Sequence, residues 1–221
     1  MLNLVLKDIL IQKKSFLIAL VYSVFLFVIF SNEVFREAVY IMGTVAIAYI
    51  MVVTSNAYDD KYKSEIIINS LPVKRRSVVL SKYLAAAVFV VLGLIIAGTV
   101  GAVIITAGIP LSVRYLNLYD TVFALSLVAL LASLYYPLYF RFGYALSRMI
   151  NMVLFLALFF GPSALVGYYR QNMDYGTAQQ LAARLQDFPA WAPGISALAA
   201  VMLLTVVSAL ISLKIYETKD F

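Results

Sequence analysis

Six apolar stretches of about 20 residues, nearly free of charge and parted by charged patches, set the limits on what this chain can fold into. About 20 apolar residues in a helix cross the hydrocarbon layer of a bilayer. The stretches fall at about 15–34, 38–58, 83–107, 121–140, 149–169 and 194–213. Of the 221 residues, 64% are hydrophobic and 13% are charged. A soluble domain is about half apolar and a quarter charged, and its apolar residues are not gathered into such runs. The sequence therefore predicts an all-α fold: a polytopic transmembrane helical bundle of six spans. Residues 1–221 read as one domain, since no Gly/Ser linker or low-complexity tract divides them.

The first 14 residues, MLNLVLKDILIQKK, predict an amphipathic helix at the membrane surface. Leu2, Val5, Leu6, Ile9 and Leu10 follow helical spacing, while Asn3, Lys7, Asp8, Lys13 and Lys14 take much of the other face. Leu4 and Ile11 widen the apolar stripe. A plain cytoplasmic lead into the first span fits the same residues. The segment after Phe30, SNEVFREAVY, has no small-x-small cleavage pattern, so the first span reads as retained rather than as a cleaved leader.

Cations in short loops mark the cytoplasmic side. Six spans put both termini on one side. With them go Lys7, Lys13, Lys14, Lys61, Lys63, Lys74, Arg75, Arg76, Lys82, Arg141, Arg148, Lys214 and Lys219. The other side holds Arg36, Arg114, Arg170 and Arg184. Both termini are thus expected in the cytoplasm of a multi-pass plasma-membrane protein. The net charge of +6 follows from this asymmetry and from attraction to anionic lipid, with no need for nucleic acid. Lys13, Lys14, Lys74, Arg75 and Arg76 are the expected lipid-headgroup contacts. Tyr58, Tyr62, Tyr83, Tyr115, Tyr119, Tyr168, Tyr169 and Tyr216 fall near span ends, where tyrosine favours the interface. Tyr22, Tyr49, Tyr135 and Tyr136 fall inside spans and should face other helices or a cavity.

The chain has no cysteine and no histidine, which excludes disulfides, thiolate chemistry and His-based metal sites. No phosphate-binding Gly-x-x-x-x-Gly-Lys-Ser/Thr loop is present. Neither catalytic, cofactor nor metal residues are expected on this chain. Asp59-Asp60 is a paired carboxylate, but its place at a span end reads as a solvated boundary. An ion-coupled secondary transporter needs ionisable groups inside the membrane, and the spans carry almost none centrally. Thr54, Asn56 and Asn151 are expected to bond helix to helix. A non-transport assembly protein of the membrane is the remaining alternative.

Residues 59–82, DDKYKSEIIINSLPVKRRSVVLSK, carry six cations and three acids. One charge at mid-membrane costs about 2.5–3.5 kcal/mol, so the segment reads as a cytoplasmic loop. Ile66, Ile67, Ile68 and Leu71 among polar residues, followed by Pro72, predict a short helix over 63–71. Its exposed apolar residues call for lipid or a partner. On the other side, 170–193 forms the longest external segment. Thr177 is placed to cap a short helix through Gln186, and Gly161-Pro162 predicts a kink in the fifth span.

The order of elements, with Ser70-Leu71-Pro72, Lys74-Arg75-Arg76, Val78-Val79 and Ser81-Lys82-Tyr83 in the loop and Lys7-Asp8 at the start, resembles the small permeases of the type-2 ABC exporter family. The resemblance in topology covers the whole chain, and the motif match covers these two stretches. It implies that Asp59, Asp60, Lys61, Tyr62, Lys63, Ser64, Glu65, Ile66, Ile67, Ser70, Leu71 and Pro72 form a coupling segment that docks on a cytoplasmic ABC ATPase. ATP and magnesium would then belong to that partner, an ATPase dimer, and a second permease copy would complete the pathway. The chain is also similar to bacterial exporters of amphipathic peptide toxins such as phenol-soluble modulins. A pathway lined by apolar and tyrosine side chains would suit an amphipathic, lipid-like or drug-like cargo.

Overall fold

The computed structural model describes residues 1–30, 36–172 and 192–219, which are helical with no strand among them. The helices are α1 (Leu2–Ile11), α2 (Lys13–Phe30), α3 (Val39–Lys61), α4 (Ser64–Ser70), α5 (Arg75–Thr106), α6 (Leu118–Phe142), α7 (Tyr144–Asn172) and α8 (Ala192–Glu217). Four of them, α3, α5, α6 and α8, are long and apolar enough to cross a membrane. Helices α1 and α2 meet at 64°, and the pair makes a fifth crossing if counted together. In α7, Tyr144–Ala157 is apolar, and the helix continues through Gly161-Pro162 to Asn172.

The core forms where α3, α5 and α6 meet. Helix α3 supplies Ile47, Ala48 and Met51, α5 supplies Ala85 and Phe89, and α6 supplies Ala124 and Val128. Small residues bring the backbones together, as expected where lipid gives no hydrophobic drive between helices. At Gly93 an added Cβ would lie 3.0 Å from the Thr44 carbonyl oxygen, so glycine lets α5 approach α3 without pressing on its backbone. Helix α8 lies along α6 and α5.

The two ends of the bundle are closed differently. At one end Phe27 meets Tyr40 edge-on at 5.1 Å, and the Tyr40 hydroxyl donates to the Arg114 carbonyl at 2.5 Å. The Arg114 guanidinium forks onto buried Asp120 at 2.7 and 2.8 Å and reaches Glu37 at 3.0 Å. These hydrogen bonds, donated to the Asp120 carboxylate, hold the guanidinium pKa above its already high ordinary value. Asp120 also closes the capping box of α6 with Asn117. At the other end lie both described termini and the α3–α5 loop: Lys7 of α1 pairs with Asp59 at 2.7 Å, and Arg75 donates to the Glu217 carbonyl at 2.7 Å. The described ends of α1 and α8 therefore share an end of the bundle with that loop.

Several expectations shift. Helix α1 does not turn its polar face outward as a whole: Val5, Asp8 and Gln12 are buried, while Leu2, Leu6 and Leu10 are exposed. Leu4, which widened the stripe, packs against the core. The loop is shorter than 59–82, because Asp59–Lys61 complete α3 and Arg75–Lys82 begin α5. Tyr216, expected at the interface, is buried edge-on against Phe140 at 5.2 Å. The external helix expected from Thr177 to Gln186 lies outside the described residues.

Candidate functional site

The loop end is built from the chain reversal between α3 and α5. Lys63 turns the chain with φ 48°, a left-handed conformation that costs a non-glycine residue energy. Helix α4 follows, and the Ser70 hydroxyl donates to the Ile67 carbonyl at 2.8 Å in its last turn. Leu71 is extended and Pro72 follows it, so the helix cannot continue. Ile68 turns inward and packs against the core. Ile66 and Ile67 face out at 63% and 60% exposure, with Tyr62 and Leu71 also exposed.

Beneath α4 sits a buried ion cluster. The Lys82 ammonium bonds both oxygens of Asp8, at 3.1 and 3.2 Å, and also bonds Asp59. Lys7 reaches Asp59 at 2.7 Å and Asp8 at 3.2 Å. Two cations and two carboxylates cancel, which is the condition for keeping such charges out of water. Asp8, Asp59 and Lys82 are all under 7% exposed. The cluster joins α1, α3 and α5 at the point where the α3–α5 loop departs. Nearby, the Tyr136 hydroxyl donates to the Lys82 carbonyl at 2.9 Å, and Asn56 donates to the Tyr135 hydroxyl at 3.2 Å. Gln12 donates to the Met51 carbonyl and accepts from Thr54 at 2.8 Å, which fastens α1 to α3 again.

The C-terminus closes over the same end. Arg75 donates to the carbonyls of Tyr216, Glu217 and Lys219 at 3.4, 2.7 and 3.2 Å. These include carbonyls that the end of α8 leaves without helical partners. Arg76 pairs with Glu217 at 2.9 Å. Lys219 pairs with Glu65 of α4 at 3.1 Å. The short helix is thus tied to the segment after α8 by a charge contact, and it follows directly from α3, whose end the ion cluster holds to α1 and α5.

The expected docking residues separate into two groups. Asp60, Lys61, Tyr62, Lys63, Ile66, Ile67, Ser70, Leu71 and Pro72 lie on the outside, with Ser64 and Glu65 half-buried. Asp59 lies inside, held in the cluster. Of the expected headgroup contacts, Lys13 and Lys74 are exposed, and the Lys14 side chain lies outside the described residues. Arg75 and Arg76 contact the end of α8. Sequence reasoning placed Asp8 and Lys82 at a surface and missed their pairing. The signal was the position of each at the edge of an apolar run, on helices whose inward stripes they continue.

The family model described as ABC-2 family transporter protein matches residues 3–217, which takes in every element of the fold. No curated protein and no solved structure matches the chain. With a match over nearly its whole length, this chain belongs to the ABC-2 family of transporter proteins, whose members are membrane components of ABC transporters.

Proposed function

We propose that the chain is the permease subunit of an ATP-driven exporter, working as a pair of copies with a separate cytoplasmic ATPase dimer seated on α4. Six crossings, with α2 and α7 completing the count, put the loop end and both termini in the cytoplasm of a bacterial cell. The proposed cargo is amphipathic: a peptide of the phenol-soluble modulin type, a lipid-like molecule or a drug-like one.

The observation that carries this reading is α4 itself. A seven-residue helix that exposes Ile66 and Ile67 side by side, beyond the ends of two long helices, is poorly explained as a packing element. It fits a partner's cleft, where a few buried apolar side chains carry most of the affinity. Lys61, Lys63 and Glu65 around it would orient the encounter. Closure of two ATPase subunits would displace α4, and the buried cluster would pass that displacement to α1, α3 and α5 as one body. The energy comes from unequal contact with the open and closed ATPase states.

Co-purification of the tagged chain tests the reading. The wild-type chain is expected to bring down a cytosolic ATPase in equal amount. The double variant Ile66→Glu/Ile67→Glu is expected to enter the membrane normally and lose the ATPase. An ATPase that remains bound and coupled to this variant refutes the docking assignment.

A further inference from the structure

A cavity of about 310 Å³ lies between α5, α6 and α8. Its floor is Ala86 and Val90 of α5 with Val128 and Ala132 of α6, all buried. Its mouth opens sideways between α5 and α8, at exposed Ala87 and Met202. Alanines on both long walls leave the space: larger side chains there would fill it. An apolar cavity of about 150 Å³ already stays dry and takes up an apolar guest.

Among the described residues the polar side chains in the lining are Tyr83 and Thr205, and both donate their hydroxyl hydrogens elsewhere. Ser208 donates to the Ser133 carbonyl at 2.5 Å, so Tyr83 donates to Ser208 at 2.7 Å and takes the Ser212 hydroxyl at 2.9 Å. Thr205 donates to its own Val201 carbonyl at 2.8 Å. A polar guest would find no free hydroxyl donor there and would lose most of its hydration, so the slot favours an apolar guest.

Position and shape narrow it further. Tyr83 lies eight residues into α5, about 12 Å from Arg75 along the axis. The slot then runs to Val90, about 10 Å more. With the basic loop end at the headgroups, this is the hydrocarbon depth of the adjoining leaflet. Leu84 and Val91 on α5 and Ile195 and Val206 on α8 are exposed apolar side chains on the two helices that flank the mouth.

The geometry points to a binding site for one acyl chain of a membrane phospholipid from that leaflet. The site lies within a single copy of the chain and needs neither ATPase nor cargo, so it stands or falls separately from the proposed transport role.

Photolabelling tests it. The purified chain is placed in phosphatidylcholine/phosphatidylglycerol vesicles that contain a little phospholipid with a mid-chain diazirine, irradiated, and mapped by mass spectrometry. Met202 and Ala129 are expected to be labelled severalfold more than Leu203 and Met152, which face the bulk bilayer. Ala129→Phe, which fills the slot, is expected to bring Met202 down to the level of Leu203 and leave Met152 unchanged. Ala87→Leu at the exposed mouth does the same in part, and serves if Ala129→Phe does not fold. Equal labelling of Met202 and Leu203 in the wild type overturns the proposal. So does labelling at Met202 that neither substitution reduces.

Discussion

Lys82 holds Asp8 through both carboxylate oxygens, across 74 residues of chain. The contact ties the first helix to the start of α5, and Asp59 completes it from the end of α3. None of the three elements could leave the cluster without stranding a buried charge. Removing one partner of such a group costs about 3–5 kcal/mol. Lys82→Met is therefore expected to lower the thermal unfolding temperature in detergent sharply, because Lys7, 29% exposed at its side chain, cannot neutralise two carboxylates alone. The triple variant Asp8→Asn/Asp59→Asn/Lys82→Met should recover much of the loss, since the one charge left, Lys7, is 29% exposed at its side chain and can turn to water. A single variant that unfolds with the wild type would mean that the cluster adds no net stability.

The C-terminal closure should behave in the opposite way. Lys219–Glu65 and Arg76–Glu217 are exposed enough that each pair is worth about 0–1 kcal/mol. Global unfolding of Glu65→Gln is expected to stay near that of the wild type. Arg75 differs because it serves three carbonyls at once. Arg75→Ala should fray the last turn of α8, seen as faster amide exchange over 214–217 with little change in the core of α5. Unchanged exchange there would show that α8 ends well without it.

These contacts explain what the sequence revealed and what it hid. Helix α4 was legible because Ile66, Ile67 and Ile68 stand together among polar residues and Pro72 stops the helix. Four of the six expected crossings, α3, α5, α6 and α8, were legible because the hydrocarbon layer demands long apolar runs. The loop limits were misjudged because hydropathy treats each charge singly. Asp59 and Lys82 read as water-facing, yet they neutralise each other inside the fold. Their third partner, Asp8, lies 51 residues before Asp59, and no local pattern joins them. The inverted face of α1 has the same origin, since a stripe containing Asp8 and Gln12 becomes an inward face only when Lys82 and the Met51 carbonyl wait opposite.

Gly101 marks the closest approach at the far end of the bundle. A Cβ placed there would lie 2.0 Å from the Tyr40 hydroxyl oxygen. Tyr40 is fully buried and its hydroxyl is held by the Arg114 carbonyl, so the ring has little room to retreat. Gly101→Ala is expected to destabilise the chain by about 1–3 kcal/mol through overpacking. Adding Tyr40→Leu should make the second substitution nearly neutral in that background, measured as non-additive unfolding temperatures. Additive losses would place the clash elsewhere.

The Arg114–Asp120 fork separates the worth of a cap from the worth of a buried charge pair. Asn117 and Asp120 cap α6 together, but only Asp120 also receives the guanidinium. Losing a cap costs about 0.5–2 kcal/mol, whereas stranding one member of a buried pair costs about 3–5 kcal/mol. Asp120 is fully buried, and the Arg114 side chain is only 17% exposed. Asp120→Ala should thus unfold at a clearly lower temperature than Asn117→Ala. Arg114→Lys should fall between them, because a lysine keeps the charge but gives up the two-pronged contact and the bond to the Glu37 carbonyl at 3.0 Å. If Asp120→Ala and Asn117→Ala lose the same amount, the fork contributes no more than solvent does, and α6 is held at this end by its cap alone.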